Sequence, residues 1–283
     1  MHNIIPDYVA IGYVCKDALP DGGYQMGGTA TYSGLTAAHL GLQVGILTSA
    51  EPSFAVFDHE PSVAVAGFPT DVTTTFENIY EDGVRRQYVR SLAEPVSPDA
   101  LSDAWRKTPI AHLGPIAQEV DTRFLEAFDD ALIGITPQGW LRQWDERGYV
   151  SATEWADRDA YLDAADAIVL SPEDVGGDKR VLDELAERAK ILVVTMGFRG
   201  AIVHHDGLSV RIRGFVAKEV DPTGAGDTFA AAYFTRLRET GDPFESGRFA
   251  NCVASFIVEA PGITGVPSRD RVEHRLRHGR LLD

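Results

Sequence analysis

The sequence predicts an α/β fold: a three-layer sandwich with a central, mostly parallel sheet and a small separate β sheet. Three observations lead there. Short apolar runs alternate with helix-like stretches along most of the chain, and a single interval, residues 72–92, breaks that rhythm with two β-rich runs. The third is a glycine-rich turn at residues 221–228 that opens an amphipathic helix.

Taken in order, residues 8–14 form the first apolar run and read as a strand. Gly27-Gly28-Thr29-Ala30 follows and leads into a helix-like stretch over 31–40 that includes Leu35, Ala37 and Ala38. Residues 44–48 read as the next strand. Within 72–92 the two β-rich runs are joined by Glu81-Asp82-Gly83, and Asp-Gly between such runs signals a hairpin because tight turns need positive φ. With the segment around residues 22–26, this hairpin is expected to make a small sheet apart from the main one. Ser97-Pro98 places a cap and a first-turn proline ahead of a helix over 99–106. Strands are expected at 110–113, 131–135, 167–170, 191–195 and 201–204. A helix over 178–189 sets Val181, Leu182, Leu185 and Ala189 on one face.

Composition narrows the function. A chain of 283 residues with 44% hydrophobic content can bury a large core. Its net charge of -16 argues against a nucleic-acid or anionic-membrane partner, while leaving room for a local cationic pocket. Cys15 and Cys252 are too few for a disulfide framework, and no apolar run is long enough for a membrane span, so a cytoplasmic protein is expected. The eight histidines suggest no zinc spacing, and His204-His205 reads as a strand end.

Residues 221–228 read Asp-Pro-Thr-Gly-Ala-Gly-Asp-Thr and run into a helix on which Phe229, Tyr233 and Leu237 recur every four residues. The first turn of such a helix offers unpaired N–H groups and the positive end of the macrodipole, and glycines let a phosphate approach closely. Asp227 therefore sits where an anion is also expected, and two negative groups in one electropositive pocket suggest chemistry rather than a cap.

This octapeptide resembles the C-terminal signature of ribokinase-like (phosphofructokinase-B type) carbohydrate kinases. Gly27-Gly28 resembles that family's N-terminal Gly-Gly motif, and residues 194–201, Val-Thr-Met-Gly-Phe-Arg-Gly-Ala, its nucleotide-side segment. The resemblance implies a ribokinase-like fold in one domain over 1–283, with a lid from segments near 20–28 and 72–92. It also implies transfer of the ATP γ-phosphoryl group to a hydroxyl of a small sugar or polyol. Asp227 would be the base and the N–H groups of Gly224, Ala225 and Gly226 the anion hole. Thr195, Gly197, Gly200, Gly224 and Gly226 would border the nucleotide, and Asp17, Gly27, Gly28 and Thr29 the acceptor. The helix N-terminus is expected to depress the pKa of Asp227.

Where the family commonly carries Asn-x-x-Glu for Mg²⁺, this chain reads Ser171-Pro172-Glu173-Asp174. Glu173 and Asp174 suit Mg²⁺ directly or through water, and the same four residues suit a helix cap equally well. Asp221 and Thr223 could hold a monovalent cation such as K⁺, as in some family members, or shape the turn. Arg142 could meet a phosphate or cover a helix surface. Several strings look closest to myo-inositol kinases: Gly-x-x-Cys-x-Asp at 12–17, Ser-x-Glu-acid at 171–174, Pro-Gln-Gly-x-Leu-Arg at 137–142 and the octapeptide itself. Inositol is the favoured acceptor, with ribose, another sugar or a nucleoside as alternatives. A catalytically silent binding protein is a rival of a different class, and a homodimer is compatible with the family.

Overall fold

The computed structural model describes residues 4–54, 57–81 and 84–282. The turn residues Asp82 and Gly83, expected to close the hairpin, lie outside the described residues. Strands β1 (Tyr8–Ile11), β2 (Cys15–Ala18) and β3 (Tyr24–Gly27) precede helix α1 (Thr29–His39). Then come β4 (Val44–Ala50), β5 (Val63–Pro69), β6 (Thr75–Glu81), β7 (Val84–Ser91), β8 (Ile110–Leu113), β9 (Leu132–Ile135), β10 (Arg142–Trp144) and β11 (Val150–Ala152). Helix α2 (Arg158–Ala164), β12 (Ala167–Leu170) and α3 (Lys179–Arg188) lead to β13 (Ile191–Thr195), β14 (Ala201–His205) and β15 (Leu208–Ile212). Helices α4 (Ala225–Thr240), α5 (Pro243–Ile257) and α6 (Arg269–His278) complete the chain.

The main sheet has nine strands in the order β15-β14-β13-β12-β9-β8-β1-β4-β5. It is parallel from β13 through β5, and β14 and β15 are antiparallel. Its inner strands β1, β8, β9, β12 and β13 are almost wholly apolar because both faces are covered, whereas the edge strands β5 and β15 are largely exposed. In β1, Tyr8 and Ala10 pack into the cluster that includes Tyr32, Phe229, Tyr233 and Phe249, from α1, α4 and α5. Val9 and Ile11 point the other way, into the cluster that holds Trp105, Phe124 and Leu185. The same alternation recurs in β12 and β13. Each large apolar side chain buried in this way contributes about 1.5 to 3 kcal/mol.

A second sheet of four strands, order β3-β2-β6-β7, comes from residues 15–27 and 75–91. The short β10–β11 hairpin lies against its β7 edge, where Val89 N donates to Gly148 O and Tyr88 bridges Tyr149.

Three expectations change. The first strand stops at Ile11 rather than residue 14, because Gly12 has φ 149° and a side chain there would run into Gly114 O. Asp17, in a stretch where no strand is expected, is inside β2 of the second sheet. The helix expected over 99–106 is two 3₁₀ turns, Pro98–Ala100 and Trp105–Lys107. Ser97 does cap the first by accepting from Asp99 N, but Ser102 Oγ accepts from Trp105 N and restarts the chain, a local bond that competes with helix. No described helix is long and apolar enough to cross a membrane.

The chain leaves the main sheet for the second one around a buried carboxylate. Glu119 Oε1 accepts from Tyr13 N at 2.9 Å and Ile116 N at 3.0 Å, and Oε2 accepts from Ala117 N at 2.7 Å. Burial pushes the Glu119 pKa up, against the pull of these backbone donors. Glu119→Ala would leave buried N–H groups unpaired at about 1 to 3 kcal/mol each. The expected outcome is a loss of about 3 kcal/mol in urea unfolding at pH 7. A change below about 1 kcal/mol would show that the carboxylate is dispensable to the junction.

Candidate active site

The site forms where two helix N-termini meet. Gly224 precedes α4 with φ 74°, and a side chain there would run into the Tyr32 ring, so both backbone and space demand glycine. Asp221 shapes the turn: Oδ1 accepts from Thr223 N at 2.9 Å, and Oδ2 from Gly262 N at 2.9 Å and, at 3.5 Å, from Gln25 Nε2. Of the expected anion hole, the Ala225 N–H already donates to Pro222 O at 3.2 Å. The N–H groups of Gly226 and Asp227 lie ahead of any intrahelical carbonyl and are the outward donors of the first turn.

From α1, Thr29 Oγ1 donates to Asp227 Oδ1 at 2.7 Å and Ser33 Oγ to Asp227 O at 3.2 Å, while Thr36 Oγ1 lies 3.4 Å from Thr228 Oγ1. Residues 29, 33 and 36 share one face of a helix, so this is a hydroxyl stripe along α1 that grips the first turn of α4. The Gly-Gly motif and the octapeptide, far apart in sequence, are thus joined. Thr29, expected to border the acceptor, is 3% exposed and has its hydroxyl on the Asp227 carboxylate. Gly27 and Gly28 keep the approach open: a side chain on Gly27 would run into the Asp17 carboxylate, and one on Gly28 into Tyr13 O.

Asp227 is pushed up to about 6, first by burial, with Asp174 and Asp17 adding to the rise. The Thr29 hydrogen bond and the Arg142 charge oppose it. This reverses the expected depression: removing the carboxyl from water among other carboxylates outweighs the helix N-terminus. A carboxylate that titrates near neutrality is suited to accept a proton. Arg142, half-buried at the start of β10, is the cation whose field reaches it.

The strand register of the second sheet settles which side chains look inward. Cys15 faces Gly27, Asp17 faces Gln25 and Phe76, Phe76 faces Val89, and Asn78 faces Gln87. Cys15, Phe76 and Val89 pack with Tyr13 and Ile116, so their face of the sheet turns toward the main body. Asp17, Gln25, Asn78 and Gln87 therefore share that face, and Gln87 Nε2 donates to Asn78 Oδ1 at 3.1 Å. The opposite face carries Lys16, Tyr24 and a Glu77–Arg90 pair. Asn78 and Gln87 were not singled out from sequence. The two-residue alternation marks them, but a register shift between Thr75 and Phe76 obscures it.

At the ends of the neighbouring strands β12 and β13 lie the other predicted segments, the place where ligands bind in open α/β sheets. Asp174 Oδ2 accepts from Ser171 N at 2.7 Å and Ser171 Oγ at 2.9 Å, and Oδ1 accepts from Gln138 Nε2 at 3.2 Å. The cap reading of this motif is therefore realised, while the Asp174 charge is still felt at Asp227. Glu173 is exposed. Thr195 Oγ1 donates to Leu170 O at 3.3 Å, linking the two strand ends. Gly197 and Gly200 take φ 57° and 95° in a turn that packs on the end of β15, leaving Phe198 73% exposed. The histidine spacing needs correcting. His274 and His278 stand four apart on α6 with ring centroids 4.8 Å apart, although no group of three or more potential metal ligands occurs among the described residues.

Comparison with known proteins agrees with this geometry. Residues 165–269 match the model of the pfkB family carbohydrate kinase. The nucleoside kinase of Methanocaldococcus jannaschii is 34% identical over 102 residues, covering 35% of this chain and 34% of that protein. Ribokinase of Bacillus subtilis is 37% identical over 112 residues, covering 39% and 36%. The chain thus spans about a third of the length of these curated relatives. Among solved structures, a pyrophosphate-dependent kinase in the ribokinase family, complexed with a pyrophosphate analog and myo-inositol, superposes with TM-score 0.77 at 22% identity, covering 94% of this chain and 99% of that one. Arabidopsis thaliana ribokinase complexed with ribose and ATP gives TM-score 0.73 at 19% identity, covering 97% and 99%. Residues 165–269, which hold Glu173, Asp174, the Thr195 turn and Asp227, are a pfkB family carbohydrate kinase segment, and the fold that carries them is the ribokinase-like one.

Proposed function

We propose that this chain transfers the γ-phosphoryl group of Mg·ATP to a hydroxyl of a small polyol, with myo-inositol the preferred acceptor. The observation that carries the reading is Asp227 itself. It is a carboxylate titrating near 6, held by Thr29 at the N-terminus of α4 and overlooked by the polar face of the second sheet.

In this reading the second sheet is the lid of a single kinase domain, and the acceptor lies between its inward face and Asp227. Asp17 accepts hydrogen bonds from ring hydroxyls, and Asn78 and Gln87 offer amides beside it. The acceptor oxygen forms its bond to phosphorus as the bond to the leaving phosphate oxygen breaks. The hydroxyl proton passes late to Asp227. The N–H groups of Gly226 and Asp227, the helix N-terminus and Arg142 stabilise the charge on the transferring group, the larger contribution in a loose transition state. The donor runs past Gly224 toward Thr195, Gly197 and Gly200.

Mg²⁺ fits with a condition: without a three-ligand cluster among the described residues, the donor phosphates would supply most of its ligands, with Glu173 and Asp174 reaching it through water. Bound there, the ion would neutralise phosphate charge. Both Asp221 oxygens are already hydrogen-bonded, so a K⁺ at Asp221 and Thr223 would share them. The free thiols Cys15 and Cys252 suit a reducing cytoplasm.

Inositol is favoured by the strings at 12–17, 137–142, 171–174 and 221–227, and by the similarity to a solved kinase holding myo-inositol. That same similarity supports pyrophosphate as a second donor reading.

Asp227→Asn is expected to lower kcat by about 10² to 10⁴-fold with donor affinity retained. The same substitution tests the titration. A folded-state pKa of about 6 against the ordinary 3.8 means the folded chain holds the proton more tightly, so Asp227 costs stability as pH rises from about 4 through about 6 and throughout the range above. The Asn variant should therefore melt higher than wild type at pH 8 and not at pH 4. Near-normal turnover in the purified variant would remove Asp227 from the chemistry.

The acidic limb of kcat/KM should fall near pH 6, and Arg142→Gln, which removes a charge that lowers the Asp227 pKa, should move that limb upward. An unmoved limb would separate Arg142 from the base.

In side-by-side assays with saturating Mg·ATP or pyrophosphate, myo-inositol should exceed ribose in kcat/KM. Asp17→Ala should weaken acceptor use far more than donor use, since a polar group left unpaired costs about 1 to 3 kcal/mol. Preference for ribose or a nucleoside would overturn the inositol reading and leave the phosphotransferase standing.

A further inference from the structure

His112 is a fully buried imidazole in the middle of β8 that the proposed reaction does not use. Its Nδ1 lies 2.7 Å from Tyr8 Oη and its Nε2 2.9 Å from Thr136 Oγ1, so one ring nitrogen donates and the other accepts. Tyr8 is fully buried as well and packs in the same cluster as Tyr32 of α1 and Phe229 and Phe234 of α4.

On its Thr136 side the cluster comes near Thr29. Thr136 Oγ1 and Thr29 Cγ2 both line the space that a side chain on Gly114 would fill, and Thr29 holds the Asp227 carboxylate. The His112 ring also meets the Phe234 ring edge-on, with centroids 4.9 Å apart. Phe234 is seven residues beyond Asp227, on the same face of α4.

We propose that His112, held by Tyr8 and Thr136, is a positioning residue for Asp227, acting through Phe234 on α4. An apolar side chain would fill this strand position at lower desolvation cost, as the neighbouring Ala111 and Leu113 do. A satisfied polar network specifies one arrangement in a way that apolar packing does not. Burial lowers the His112 pKa to about 3, so the ring stays neutral and keeps one donor and one acceptor over the working range of Asp227.

The proposal rests on the phosphotransferase reading for its kinetic arm and is independent of it in its exchange arm. Two variants of the full chain separate positioning from stability. Tyr8→Phe removes one hydroxyl and leaves an imidazole nitrogen unpaired. The triple variant Tyr8→Phe, His112→Leu, Thr136→Val makes the cluster apolar, and replacing all partners together is close to neutral for stability.

Melting temperature, kcat, both KM values and amide exchange over residues 227–230 are measured. Tyr8→Phe is expected to lower kcat about tenfold with KM unchanged within about twofold, and to speed exchange in the first turn of α4. The triple variant should recover the melting temperature while kcat stays low and exchange fast. Wild-type kcat and exchange in Tyr8→Phe, or recovery of both with melting temperature in the triple variant, would overturn the proposal. If the wild-type chain transfers phosphate to no acceptor, the functional reading fails, and exchange over 227–230 alone decides the role of His112.

Discussion

The 2.7 Å hydrogen bond from Thr29 to Asp227 is the contact on which the site depends. It joins the first residue of α1 to the first turn of α4, two helices whose N-termini would otherwise be separate patches of positive potential. The hydroxyls of Ser33 and Thr36 extend it one and two turns along α1. Thr29 thus links the carboxylate to the framework, and the glycines around it leave the space above it open.

That arrangement concentrates negative charge in a chain already at net charge -16. Asp17 and Asp174 both raise the Asp227 pKa, and Arg142 and the Thr29 hydroxyl act against them. An anionic donor entering the site must meet compensating charge, and the local sources are Arg142, the first-turn amides of α4 and any metal carried in with the phosphates. The Gln138 amide occupies Asp174 Oδ1 and thereby ties the segment that ends in Arg142 to the segment that holds Glu173 and Asp174. One short stretch, residues 137–142, therefore bears on both a cation and an anion that shift the Asp227 pKa.

Much of this was legible in sequence where one local signal sufficed. The strands at 110–113, 167–170 and 191–195 match their predicted bounds because parallel strands covered on both faces must be apolar throughout. The glycine-rich turn opening a helix at 221–228 is found as expected, with Gly224 at φ 74° before α4. Strand β2, Cys-Lys-Asp-Ala, carries no strand signal of its own and forms because β3 and β6 flank it. The pKa of Asp227 was expected to move the wrong way. The helix N-terminus is visible in sequence, but the burial and the carboxylates of Asp17 and Asp174 come from residues 53 to 210 positions away. Helix formation over 99–106 failed for a similar reason in miniature, since Ser102 offers the chain an alternative bond that periodicity does not weigh.

A buried carboxylate with a pKa of about 6 also accounts for a hydroxyl, not a cation, as its recorded hydrogen-bond partner. A buried carboxylate that prefers to be protonated is, when ionised, a source of strain on whatever holds it. Hydroxyls answer that strain without fixing a charge: Thr29 can donate to the ionised carboxylate, and it lies close to Asp227 whichever form is present. A lysine or arginine in place of Thr29 would hold Asp227 ionised and drive its pKa far below the range in which it accepts a proton usefully. Thr29, rather than a cation, keeps the carboxylate poised in charge, while Ser33 on the Asp227 carbonyl and Thr36 beside Thr228 hold the turn that carries it.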